Sequence, residues 1–364
     1  MTALIEEGAG EMDSRAFAEA RDALAAEFVF DAGGDSVGVS ARFLTENRDQ
    51  AITLLREALV NPRFDQDAID RVREQVLSIL RSDEKDPDKI ASNTFDRLAF
   101  GDHPYGSDGN GTIETVTALT RDDIVAAHKG ALARDRIYVS AAGDITAEEL
   151  GPLLDRLLGD LPATGTPLPG LAEVKLPPGV TVTDFPSPQS TVLFGQTGIP
   201  REDPDFFAAF ILNEAMGGGR FTARLMSEVR EKRGLTYGIG SYLVSYDLAD
   251  MYLGQFSASN DKVAEAIQVV RDEWARIARE GLTDQELADT KTYLTGSYPL
   301  RFDGNGPIAS ILVGMQMEGM PIDYAVTRNA KIEAVTMDDI KRVAARLYQP
   351  DALHFVVVGQ PTGL

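Results

Sequence analysis

"IETVTALTRDDIVAAHKGALARDRIYVSAAGD" (113–144) and "IEAVTMDDIKRVAARLYQPDALHFVVVGQ" (332–360) follow one plan. In each, a threonine and a pair of aspartates open a helix, a short break follows, and a β-branched and aromatic run ends on glycine. Ile124 to Gly143 spans nineteen positions, and so does Ile340 to Gly359. Threonine and aspartate ahead of a periodic apolar run mark a helix start, because their oxygens accept from the first unpaired N–H groups. Equal spacing over helix, loop and strand predicts two homologous α+β halves. A second echo, "RFDQDAIDRV" (63–72) against "GLTDQELADT" (281–290), stands at nearly the same offset.

The join is expected in "LPATGTPLPGLAEVKLPPGV" (161–180), which is rich in proline and glycine and shows no periodicity. This gives an N-terminal domain over 1–165, a linker over 166–175 and a C-terminal domain over 176–364. Ile52, Leu55 and Leu59 recur at helical spacing until Asn61-Pro62 stops the run. Val263, Ile267, Val270, Trp274 and Ile277 line one face of a second helix, with Gly281 as its C-cap. Strands are expected over 37–44, 136–142, 191–197, 235–245, 250–258 and 353–358. Strands in runs, separated by helices in runs, predict two α/β-sandwich halves, each a mostly antiparallel sheet covered by helices.

The net charge of −22 argues against nucleic acid and against anionic membrane surfaces, both of which need a basic face. With no cysteine, disulfides, thiolate nucleophiles and zinc–thiolate sites are excluded. No apolar run reaches the length of a membrane span, and "MTALIEEGAG" (1–10) carries no signal-peptide pattern. A soluble protein of the cytoplasm or the bacterial periplasm is expected, and a longer precursor is compatible with the abrupt start.

The chemistry-bearing residues are sparse. His103, His128 and His354 are scattered and none lies in a ligand-spaced cluster, so each is expected to be structural. There is no G-x-S-x-G nucleophile elbow. Gly217, Gly218 and Gly219 form a triplet between two helical patterns that is neither a Walker loop nor a dinucleotide fingerprint. It reads either as a tight interhelix turn or as a flexible loop beside a peptide groove.

In "EVREKRGLTYGIGSY" (228–242) a charged helix ends at Gly234 and a strand-like run begins, with Arg230 and Tyr237 seven positions apart. Leu235, Tyr237 and Ile239 are expected on one strand face. Two donors near a helix end suit a carbonyl or oxyanion clamp. The same residues also suit a helix-end cation and a core-edge aromatic, and spacing alone leaves both readings open.

"LNEAMGGGRFTARLMSEVREKRGLTYGIGSY" (212–242) resembles the C-terminal-domain signature of the pitrilysin/insulinase-like zinc metallopeptidases, and of their bacterial members akin to the mitochondrial processing peptidase. "ALVNPRFDQDAIDRVREQVL" (58–77), "HPYG" (103–106) and residues 119–144 resemble the N-terminal domain. The resemblance implies a clamshell of two homologous α+β halves. It also implies a metal site that this chain departs from. In register, H-x-x-E-H falls around residue 1, where the chain reads "MTALIEEG", and the glutamate ligand falls at Ser78, with Glu74 one turn earlier. No metal is therefore expected in this chain.

By the same resemblance, Arg230 and Tyr237 are the substrate-contacting pair of the C-terminal domain, and Gly217–Gly219 lie in its substrate loop. The implied protein is the zinc-free subunit of a heterodimer. Its partner would be a zinc-binding paralogue that supplies Zn²⁺ and the general base, and their substrate a peptide. The alternatives are a non-catalytic scaffold or assembly protein of the same fold, and a zinc enzyme lacking its natural N-terminus.

Overall fold

The structure, a computed structural model, describes residues 1–364. The strands are β1 (Gly8–Ala9), β2 (Met12–Asp13), β3 (Glu27–Ala32), β4 (Val37–Arg42), β5 (Gly179–Asp184), β6 (Gln189–Thr197), β7 (Ile239–Ser245), β8 (Asp250–Ser259) and β9 (His354–Gly359). The first seven helices are α1 (Ser14–Ala23), α2 (Arg48–Val60), α3 (Gln66–Asp83), α4 (Pro87–Phe100), α5 (Ile113–Ala118), α6 (Arg121–Ala131) and α7 (Ala147–Leu158). The rest are α8 (Phe206–Gly217), α9 (Val263–Glu280), α10 (Asp284–Ser297), α11 (Asn305–Met317), α12 (Tyr324–Ala334) and α13 (Met337–Leu347). The protein is of the α+β class, with mostly antiparallel pairing. Two compact units interleave along the chain. Unit 1 comprises Met1–Ser82, Asp108–Pro169 and Gly304–Met317, and unit 2 comprises Asp83–Ser107, Gly170–Asp303 and Glu318–Leu364.

Unit 2 is built on a five-stranded sheet in the order β5-β9-β6-β8-β7, in which only β5 and β9 run parallel. Side chains alternate across a strand, and here both faces are covered. Val192, Phe194, Tyr252, Phe256, Phe355 and Val357 point into the core formed with α8, α9 and α13. Their neighbours Leu193, Met251, Leu253, Val356 and Val358 pack on the opposite side against Ala91, Phe95 and Ala99 of α4. Two covered faces explain why β9 reads as a continuous apolar run rather than as an alternation.

The stripe Val263, Ile267, Val270, Trp274 and Ile277 is buried as its helical spacing predicts, and Gly281 at φ 68° ends the helix. Polar groups within this core are paired. Trp274 Nε1 donates to Gln196 Oε1 at 2.9 Å, Ser241 Oγ donates to Asn213 Oδ1 at 3.0 Å, and the Tyr252 and Tyr348 hydroxyls meet at 2.6 Å.

Unit 1 is helical, with two antiparallel hairpins, β1–β2 and β3–β4, in place of a broad sheet. Ile52, Leu55 and Leu59 of α2 pack with Phe17 and Phe28, and Asn61 caps the helix. Phe64, Ile69, Val72 and Ile124 form a second cluster.

The internal repeat is visible in the helices. Thr120 with Asp123 and Thr336 with Asp339 build the same reciprocal capping box at the starts of α6 and α13. It diverges at the strands: 353–358 gives β9, whereas 136–142 is not a strand, since nothing in the chain pairs with it. No helix is long and apolar enough to cross a membrane.

Candidate functional site at the Arg230–Tyr237 corner

The helix carrying Arg230 widens into a π-turn over Met226–Glu231. Lys232 N–H donates back five residues to Ser227 O at 3.0 Å. Turns of this kind are rare and gather at functional sites. Gly234 then takes φ +61°, a left-handed conformation in which a side chain would be strained. The reversal is held from both sides: Gly234 N–H donates to Arg230 O at 2.8 Å and Leu235 N–H to Val229 O at 3.0 Å. Lys262 Nζ donates to Gly234 O at 3.0 Å. Beneath the turn the Glu228 carboxylate accepts from Lys232 Nζ at 2.7 Å and Arg233 Nη1 at 2.8 Å. Burial alone would raise the Glu228 pKa, but these two cations outweigh it and hold it below the ordinary value.

Arg224, two residues before the π-turn, fixes the corner to the helices behind it. Its Nε and Nη2 reach the Glu286 carboxylate at 2.6 and 2.7 Å, and Nη2 also donates to Gly281 O at 2.9 Å. Glu286 in turn caps α10 through Thr283. Burial would push its carboxyl up, but the Arg224 hydrogen bonds, the Thr283 N–H and the Arg224 charge together bring it down to about 2.

On this frame Arg230 is half-buried, with its guanidinium carbon 4.8 Å from the centre of the Phe221 ring. Tyr237 is 84% exposed. Neither the guanidinium nor the phenol makes a hydrogen bond or ion pair, so both donors are free. The expected shared strand face is corrected here: β7 begins only at Ile239, and Leu235 and Thr236 are both buried. Thr236 Oγ1 lies 2.8 Å from Gly238 O and 2.7 Å from Ser257 O, which bends the segment and turns Tyr237 outward while Leu235 and Ile239 stay inside.

The glycine triplet divides. A Cβ on Gly217 would lie 2.2 Å from Ser241 Oγ and 2.6 Å from Ser241 N, and one on Gly218 would lie 2.5 Å from the Glu214 carboxyl carbon. A Cβ on Gly219 meets nothing within 4 Å. Close packing of α8 on β7 therefore requires glycine at 217. Gly217→Ala is expected to destabilise by about 1–3 kcal/mol through overpacking, and Gly219→Ala by less than about 0.5 kcal/mol. Urea unfolding of the two variants checks this. Equal midpoints would contradict it.

The histidines serve the fold. His128 Nε2 contacts Leu59 O at 3.0 Å, and its ring packs edge-on against Phe64. His354 lies between Pro177 O and Thr181 Oγ1. Burial lowers the pKa of both. His103 accepts from Tyr105 N–H and caps a short turn. Ser78 and Glu74 are exposed on α3. No group of three or more His, Asp or Glu side chains is placed to hold a metal ion.

A cavity of about 550 Å³ lies elsewhere in unit 2, lined by Phe206, Phe207 and Tyr324. Its arginines are already paired, Arg342 with Asp205 and Asp339, and Arg201 with Glu318. Phe221, Arg224 and Glu286 were not singled out in the sequence. The only signal was "TDQE" (283–286), a capping-box pattern.

Comparison with known proteins shows what the chain is similar to. Residues 118–294 match the model described as the peptidase M16 inactive domain. An uncharacterized zinc protease of Streptomyces coelicolor is 29% identical over 318 residues, covering 84% of this chain and 68% of that protein. A Helicobacter pylori protein named non-peptidase homolog YmxG is 24% identical over 98% of this chain and 82% of its own length. Among solved structures, the peptidase M16 inactive domain from Pseudomonas fluorescens superposes with a TM-score of 0.93 at 28% identity, covering 99% of this chain and 87% of that one.

Proposed function

Because the chain is similar to proteins of the pitrilysin/insulinase-like zinc metallopeptidase family, we propose that it acts as the zinc-free subunit of a two-chain peptidase. A zinc-binding paralogue would supply the metal and the general base. This chain's part is to bind the peptide and hold the scissile carbonyl with Arg230 and Tyr237. The reading rests on one observation: two unengaged donors stand at a corner braced by Glu228 and Arg224, in a chain that places no group of side chains to hold a metal. Two donors left free of internal partners can turn to a carbonyl oxygen as negative charge develops on it. Stacking on Phe221 restricts the long arginine side chain without using its N–H donors. Gly217 lets α8 close on β7 beside the corner and so helps to shape the substrate loop.

The test is to titrate the purified chain into a zinc-binding paralogue from the same organism and follow peptide turnover. Turnover is expected to rise with added chain and to saturate. Arg230→Ala and Tyr237→Phe are each expected to lower the saturated rate about 100-fold, as for loss of one oxyanion donor, with unfolding midpoints unchanged. If the chain binds the paralogue yet both variants match wild type, it is a scaffold of the same fold.

A further inference from the structure

Between α8 and the helix that carries Arg230, residues 218–221 read "GGRF". Gly218 and Gly219 bring no side chain and Phe221 is 62% exposed, so none of the three packs the loop into the core. Arg220 ties it down instead. Its Nε donates to Glu214 Oε1 of α8 at 3.2 Å, and its Nη2 donates to Thr290 Oγ1 of α10 at 3.2 Å. Its guanidinium carbon lies 4.6 Å from the centre of the Tyr293 ring, also on α10. A planar fork reaches two acceptors and an aromatic face at once, whereas an ammonium is a single point. The backbone curls around this anchor: Arg220 N–H donates to Gly218 O at 2.6 Å and Ala223 N–H to Arg220 O at 3.1 Å.

The anchor is built in depth. The Glu214 and Arg220 side chains are only 14% and 21% exposed. Burial raises the Glu214 carboxyl above its ordinary value although Arg220 and Arg301 pull it down. A pair whose burial outweighs its attraction adds little stability, and what it fixes is geometry. Gly218 belongs to the same device. A Cβ there would lie within 2.6 Å of all three carboxyl atoms of Glu214, so any side chain displaces the carboxylate from beneath the loop. Phe221 follows Arg220 directly, and the Arg230 guanidinium carbon lies 4.8 Å from its ring centre. One connected path thus runs from Glu214 and Thr290 through Arg220 and Phe221 to Arg230.

We propose that Arg220 is a positioning residue for the site: held by Glu214 and Thr290, it fixes the loop so that the Phe221 ring sets where the Arg230 guanidinium stands. The proposal rests on the role given above to Arg230 and adds the side chains that decide its place. Arg220 acts only through Phe221, because its own donors are spent on α8 and α10. Removing it leaves Arg230 present, with all its donors, over a ring that is free to move.

Two measurements test it. In nitrogen–proton correlation spectra of the chain alone, the Phe221 ring shifts the Arg230 Nε–H resonance, and Phe221→Leu marks its unstacked position. Arg220→Met and Glu214→Leu should each move the resonance toward that position. Glu214→Gln should not, since its amide oxygen still accepts from Arg220 Nε. With the zinc-binding paralogue at saturation, Arg220→Met should lower kcat about 10-fold at unchanged subunit affinity, less than the about 100-fold expected for Arg230→Ala. Added to Arg230→Ala, Arg220→Met should lower kcat no further, because both changes act on one group. An Arg230 resonance that ignores Arg220→Met and Glu214→Leu overturns the proposal, and so does an unchanged kcat. An equal fall in kcat with and without the Arg230 side chain also overturns it, as the mark of a merely structural role. If the wild-type chain fails to raise turnover at all, the two-chain reading fails, and the resonance alone decides whether Arg220 positions Arg230.

Discussion

Trp274→Ala is expected to lose about 3–5 kcal/mol of folding stability, as for other buried large-to-alanine changes. Trp274 is fully buried and is the only tryptophan. Its ring centre lies 5.7 Å from that of Phe194, 5.1 Å from Tyr252 and 5.0 Å from Tyr348. These neighbours come from β6, β8 and the end of α13, so they cannot collapse together into the space left behind. The change also removes the donor to Gln196 Oε1, leaving that oxygen only the longer contact with Gln349 N at 3.4 Å. Trp274→Phe should keep most of the packing and lose about 1–3 kcal/mol, the cost of a smaller ring and an under-satisfied buried acceptor. Urea unfolding followed by far-ultraviolet circular dichroism separates the two. A loss below about 1 kcal/mol for alanine would contradict the central place of this side chain.

Arg224→Ala is expected to cost a similar amount, about 3–5 kcal/mol, because it breaks a largely buried ion pair by removing one partner. It leaves Glu286 charged without its arginine and Gly281 O without its donor. The side chains of Arg224 and Glu286 are 10% and 31% exposed, so water can repair only part of the damage. Combining Arg224→Met with Glu286→Gln should recover most of the loss, since glutamine keeps the Thr283 capping box without a charge to satisfy. The pair also predicts acid sensitivity. The Glu286 carboxyl sits at about 2 in the folded protein against an ordinary 4.5, so on acidification the unfolded chain takes up the proton first. The stabilisation is complete above about pH 4.5 and is lost as pH falls toward 2, an effect of about 3 kcal/mol. Wild type should lose that stability over this range, and the Met/Gln double variant should lose much less.

Local signals in the sequence carried to the structure where chemistry and packing agree. The threonine–aspartate caps, the Trp274 stripe and the break at Asn61 are decided by neighbouring residues, and each stands where its pattern places it. Signals that depend on a distant partner did not carry. "RIYVSAA" has strand character, but a strand exists only where another lies beside it, and neither hairpin of unit 1 pairs with it. The alternation Leu235-Tyr237-Ile239 fails because Thr236 is drawn inward by Ser257 of a neighbouring strand.

The candidate site divides the same way. Arg230, Tyr237 and the reversing Gly234 are legible from spacing and from glycine's freedom at positive φ. The π-turn has no sequence signature. The bond from Arg224 to Glu286 spans 62 positions, beyond the reach of any local pattern. The glycine triplet reads as one motif, yet Gly217 is required by Ser241 of β7 and Gly219 by nothing nearby.

The most direct test of the proposed role is peptide turnover by the zinc-binding paralogue at saturating amounts of this chain, comparing wild type with Tyr237→Phe. Affinity between the two subunits is measured on the same samples. Tyr237 is exposed and forms no hydrogen bond, so removing its hydroxyl breaks no packing within the chain. The prediction is a fall of about 100-fold in kcat with equal subunit affinity. Equal kcat for the two proteins, with the complex fully formed, would contradict it.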